Sequence, residues 1–191
     1  MTPPVTHPVP TQDRHPNLSV PLPGLWPVAV RTAELTRGSL LRCGPGVRPA
    51  GWPDTPRVRL AALDPWIAPG HIAVLTTAAW VWGVISEPGH PLHTTTAGRR
   101  RGSRNAPPGV RVHQFWTPDA DTVQFGAAAV TTPGRTLCDL LRLTEEFTRL
   151  HRRACRLLRY RLAWDAPRIS AALASGAAPY RARALERLRQ L

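Results

Sequence analysis

Thr131-Thr132-Pro133-Gly134-Arg135-Thr136-Leu137-Cys138-Asp139-Leu140-Leu141-Arg142 decides the fold class. Thr132 carries the side-chain oxygen of a helix N-cap, and Pro133 suits a first helical position whose N–H has no intrahelical partner. Leu137, Leu140 and Leu141 recur at i, i+3 and i+4, so one helical face is apolar. Arg135 and Asp139 stand four apart and are placed to pair along the surface, for roughly 0.2–0.5 kcal/mol. The apolar run Phe125 to Val130 leads into this segment. Together they read as a strand that turns sharply into a capped helix.

Working outward, helices follow and strands precede. Glu145 to Leu162 reads as an amphipathic helix with Leu150, Ala154, Leu157, Leu158 and Leu162 as its apolar stripe. Arg149, Arg152, Arg153, Arg156 and Arg159 line the opposing face. Asp165 caps a further helix through Leu173, and Pro179 to Leu191 reads as a last basic helix. Upstream, Pro91 to Thr96 and Val110 to Trp116 alternate and are rich in branched or aromatic residues, the pattern of strands. Arg99, Arg100, Arg101 and Arg104 fall between them, on an expected hairpin tip or loop. Thr55 starts a helix to about Asp64, His71 to Leu75 reads as a short buried strand, and Thr76 or Thr77 caps a helix through Trp82 that Gly83 ends. The expected class is α+β: a small mixed sheet with flanking helices and a helical C-terminal part.

The N-terminal region has another character. Residues 1–27 are proline-rich and aperiodic and read as a disordered arm. They lack the basic and apolar regions of a secretory signal, and the longest apolar stretch, His71 to Ile85, is too short and polar for a bilayer. No membrane partner and a cytoplasmic location are therefore expected. Residues 28–54 end in Leu40 to Arg48, a compact apolar–basic stretch with paired glycines. Residues 55–176 hold the α+β domain and 177–191 the terminal helix.

Charge narrows the partners. The 191-residue chain has a formal net charge of +13, and all 25 basic residues are arginine. Residues 1–98 carry a net +2 and residues 99–191 a net +11, a one-sided excess that favours a polyanion. Arginine choice itself partly reflects GC-rich coding. The missing lysine excludes a phosphate-loop lysine, a Schiff base and the lysine of a restriction-type nuclease core. Cys43, Cys138 and Cys155 have no CxxC spacing and are expected as free thiols. The histidines show no HxxxH pattern, so neither a metal nor another cofactor is expected. Asp119, Asp121, Asp139, His113 and Cys138 could each do chemistry, but none sits in a spacing that joins a nucleophile to a base, and no enzyme is expected. Asp119 and Asp121 are assigned to a turn.

Three blocks carry a resemblance: Thr131 to Arg142, Thr76 to Val84, and Gly109-Val110-Arg111-Val112-His113. In order and spacing they resemble the AbiEi-type antitoxin family of type IV toxin–antitoxin, abortive-infection systems, in an actinobacterial form. The resemblance spans about residues 35–175. It implies a transcriptional regulator that represses its own operon and neutralises a nucleotidyltransferase-like toxin without stably binding it. Such proteins begin with a winged helix–turn–helix, and Leu40 to Arg48 resembles its wing. Only Val30 to Thr36 is placed to form a helical turn or two before it, so a remnant wing without an intact helix–turn–helix is expected. A C-terminal nuclease-like domain, common in such relatives, is not expected here. The expected DNA contacts, to the protein's own promoter region, are Arg99, Arg100, Arg101 and Arg104, then Arg149, Arg152, Arg153, Arg156 and Arg159, then Arg42 and Arg48. The alternative is an accessory module without DNA binding that uses the same arginines on an acidic protein such as the toxin. Thr132, Arg135 and Asp139 are assigned a structural role.

Overall fold

The computed structural model describes residues 20–97, 106–114, 116–175 and 180–191. A five-stranded sheet runs in the order β5-β4-β3-β7-β6: β3 (His71–Ala73), β4 (Leu92–Thr96), β5 (Val110–His113), β6 (Thr122–Phe125) and β7 (Ala128–Thr131). β3 is the shared centre, antiparallel to β4 and parallel to β7. All three β3 residues are buried, as a strand covered on both faces requires. The expected α+β class with a helical C-terminal part is observed.

Two expectations change at the strands. Phe125 to Val130 is not one strand: it is split at Gly126, which has φ +66°, into an antiparallel β6–β7 hairpin. β4 and β5 run parallel, with Leu92 opposite Val110 and Thr95 opposite His113. Parallel neighbours need a crossover, which rules out the hairpin expected between them.

The decisive segment forms α4 (Pro133–Leu143), directly after β7. The Thr132 side chain accepts from the Arg135 N–H at 3.2 Å, and Leu137, Leu140 and Leu141 are fully buried. The Arg135–Asp139 pair is not on the surface. Asp139 is only 1% exposed, because this helix packs against α3 (Leu75–Val81), α5 (Arg149–Leu162), α6 (Ala166–Ala174) and α7 (Arg181–Arg189) and keeps little free surface. α7 docks onto α4: buried Arg187 donates to the carbonyls of Leu141, Thr144 and Glu145 and caps the α4 C-terminus.

α1 (Val28–Arg37) is longer than the turn or two expected, ended by Gly38 at φ +79°. It buries no residue, which is why apolar periodicity gave little sign of it. The antiparallel hairpin β1 (Leu40–Cys43) and β2 (Gly46–Pro49) follows, then α2 (Pro56–Ala62) with Thr55 as N-cap. The hairpin does not project like a free wing. A Cβ on Gly46 would meet the Ala62 carbonyl oxygen at 2.0 Å, and one on Gly44 the Trp80 ring at 2.8 Å, so its turn is pressed onto α2 and α3. No helix of the described residues is long and apolar enough to cross a membrane.

Candidate nucleic-acid interface

α5 carries five of the seven predicted contacts that fall among the described residues. It starts at Arg149 rather than Glu145, where the Thr148 N–H donates to His151 Nδ1 at 3.2 Å. Its buried face is Ala154, Cys155 and Leu158. Leu150 and Leu157, expected in that stripe, are 42% and 39% exposed. They stand seven apart, on the flank of the buried face.

The five α5 arginines expected to contact DNA divide into two groups. Arg152 donates to Phe147 O at 3.2 Å, Arg156 to Leu191 O and Gln190 O at 3.1 and 3.2 Å, and Arg159 to Trp164 O at 3.1 Å. Gln190 and Leu191 follow α7, where the end carbonyls are partly negative and lack intrahelical donors, while Phe147 and Trp164 lie just before α5 and α6; these guanidiniums thus bond to the protein itself. Each keeps further N–H donors, so at these three positions the predicted phosphate contacts are shared with the protein's own carbonyls. Arg149 and Arg153 are exposed and, among the described residues, engage no protein acceptor. At i and i+4 they share one stripe with Tyr160, which is 86% exposed.

The hairpin arginines also divide. Arg48 is half-buried and donates Nη1 to Trp52 O at 2.6 Å, tying β2 to the following loop. Arg42 is exposed on the outer side of β1. Arg99, Arg100, Arg101 and Arg104 lie outside the described residues.

Beside α5 the fold forms an open cleft of about 420 Å³. Arg59 contributes from α2 and Asp54 from the segment just before it, Val81 to Val84 from the end of α3, and Leu157, Tyr160 and Arg161 from α5. Arg59 donates Nε and Nη2 to Asp54 at 2.8 and 2.7 Å, and Nη1 to Trp80 O at 2.7 Å. This pairing raises the Arg59 pKa and lowers that of Asp54. Arg161 donates to Trp82 O. Both guanidiniums therefore cap the C-terminus of α3, on either side of Gly83.

Two titratable clusters lie elsewhere. His93 Nδ1 and His113 Nε2 are 2.8 Å apart on the parallel strands β4 and β5. One ring must accept while the other donates, which opposes charging both. Burial, then the neighbouring His113 and Arg111, pushes His93 down to about 4; burial and Arg111 also lower His113. Arg135 donates Nε to both Asp139 oxygens at 2.8 Å, Nη1 to Asp121 at 2.8 Å, and Nη2 to Trp116 O at 2.9 Å. Burial pushes the Asp139 carboxyl up to about 6 against the pull of Arg135. This network fixes the turn of Asp119–Asp121 against α4. Among the described residues no group of three or more His, Cys, Asp or Glu is arranged to hold a metal ion. Cys43, Cys138 and Cys155 are buried free thiols, and burial raises the pKa of each to about 11, 11 and 12.

No family model, curated protein or solved structure matches this chain. The site therefore rests on its own geometry. Sequence reading missed Tyr160, Leu157 and Arg161 as surface features. Tyr160 stands eleven residues after Arg149, about three helical turns, and that spacing alone places both on one stripe.

Proposed function

We propose that this chain is a DNA-binding regulatory protein of AbiEi-antitoxin type that holds DNA chiefly through phosphate contacts. One observation carries the nucleic-acid part. The helical layer from Arg149 to Leu191 holds eleven arginines against two carboxylates, Asp165 and Glu186, and Arg149 and Arg153 remain outward and unengaged after Arg152, Arg156 and Arg159 have bonded to carbonyls. Such a surface gains by displacing counterions from a polyanion. The exposed helix α1, followed at once by a hairpin with Arg42 outward, supports a second contact region. The antitoxin part rests on the three sequence blocks and their order, and it implies repression of the protein's own promoter and a functional link to a nucleotidyltransferase-like toxin.

The test is fluorescence anisotropy with the gene's own upstream duplex and a scrambled duplex across a salt series. The affinity should fall steeply with salt, and Arg149→Ala with Arg153→Ala should make the logarithmic slope shallower by about 1.8, two phosphates at about 0.9 each. An unchanged slope removes α5 from the interface, and no binding to either duplex at low salt removes the nucleic-acid reading. A preference for the upstream duplex supports the repressor role.

A second reading, contact with a protein such as the toxin, draws on one feature. Leu25, Trp26, Val28 and Val30 are 62%, 42%, 68% and 44% exposed around the start of α1. Apolar exposure of that kind suits a protein surface better than a phosphate backbone. Co-purification of the toxin, lost in Trp26→Ala, would select it.

A further inference from the structure

We propose that the cleft between α2, the end of α3 and α5 receives one unpaired base of a nucleic-acid strand whose phosphates follow the outer stripe of α5. This rests on the nucleic-acid reading above and adds a single-stranded element to it.

Three features of the cleft point to a base rather than to a phosphate or an apolar ligand. Tyr160 stands at its mouth 86% exposed, with Leu157 beside it at 39%. An aromatic ring with so little cover is a stacking platform, and every base offers a face to it. Polar groups of both kinds line the same space. Arg161 bonds the Trp82 carbonyl through one nitrogen, leaving further N–H donors, while Asp54 accepts from Arg59 and is 43% exposed. Base edges carry donors and acceptors together. A phosphate would face the Asp54 carboxylate, and Arg59 is already committed to Asp54 and Trp80 O. Finally, the floor carries no side chain of its own. Gly83 has φ +74°, and a Cβ there would touch Nη1 of both Arg59 and Arg161 at 3.9 Å, so backbone bordered by two guanidiniums forms it.

The approach to the cleft fits a strand. Arg149 and Arg153 lead along α5 to Tyr160 within about 40° of arc, one helical turn and then nearly two. A base paired inside a duplex keeps both faces covered by its neighbours and does not meet Tyr160. A base at a single-stranded end can, at little unstacking cost.

The test uses the full chain and three fluorescent probes: a blunt duplex, the same duplex with a short single-stranded tail, and that duplex with an abasic tail. The tail should tighten binding about tenfold, within the range that base–aromatic stacking supplies, and the abasic tail should add little. Tyr160→Ala should lose the gain from the tail while holding the blunt duplex as before, and Tyr160→Phe should keep the gain. Since the ring is largely outside the protein, both variants should melt like the wild type. Equal affinity for blunt and tailed duplexes, or a gain that survives Tyr160→Ala, overturns the cleft proposal and leaves duplex binding standing. Binding to none of the probes overturns both and turns attention to a protein partner.

Discussion

At the scale of single residues, Arg135 carries the largest local consequence. Its guanidinium joins Asp139, Asp121 and the Trp116 carbonyl, and Asp139 is 1% exposed. Arg135→Met would leave that buried carboxylate unpaired, at a cost of about 3–5 kcal/mol in urea unfolding. Asp139→Asn should cost less, since it removes the buried charge along with the pair. Gly134 is the second such residue. In most helices Gly→Ala stabilises by about 0.5–1 kcal/mol. Here a Cβ would meet the Trp164 ring at 2.6 Å, so Gly134→Ala should destabilise, by about 1–3 kcal/mol. In a Trp164→Leu background the same change should turn neutral or stabilising, and a double-mutant cycle measures the difference.

At the scale of elements, β4 and β5 set the response to acid. His93 titrates near 4 in the fold and near 6.5 when unfolded, so the unfolded chain binds more protons between those values and stability falls as pH drops through that window. Burial lowers His71, His113 and His151 in the same direction. Asp139, raised from 3.8 to about 6, opposes them, since its folded form takes up a proton first. Urea midpoints at pH 7 and pH 5 should show a net loss on acidification, and His93→Asn should reduce it. The legibility of the elements follows from burial. α4 was readable because Leu137, Leu140 and Leu141 all face the core and Thr132 caps them. α1 was not, because it buries nothing and gives no period. The direction of β5 was not readable either: alternation reports which face a residue takes and says nothing of whether its neighbour runs with it or against it. The site was legible in composition and not in placement. Arginines stood out at once, but whether Arg152, Arg156 or Arg159 points to solvent or to a carbonyl depends on where Phe147, Leu191 and Trp164 come to lie.

At the scale of the whole molecule, a formal +13 makes the compact state repel itself. A polyanion that binds only the folded form should therefore raise the melting temperature. Heparin should do so well beyond sodium chloride of matched ionic strength, and Arg149→Ala with Arg153→Ala should shrink the gap; differential scanning fluorimetry reads it directly. The sheet order has a kinetic consequence as well. β6–β7 forms locally, but β3 meets β7 through pairs such as Ile72 with Ala129, far apart along the chain. Until that seam closes, each half-sheet presents an open edge, and closing so long a loop is slow. The middle of the sheet, its best-buried part when finished, is thus its most exposed part while the chain is still folding, and self-association during refolding should begin there.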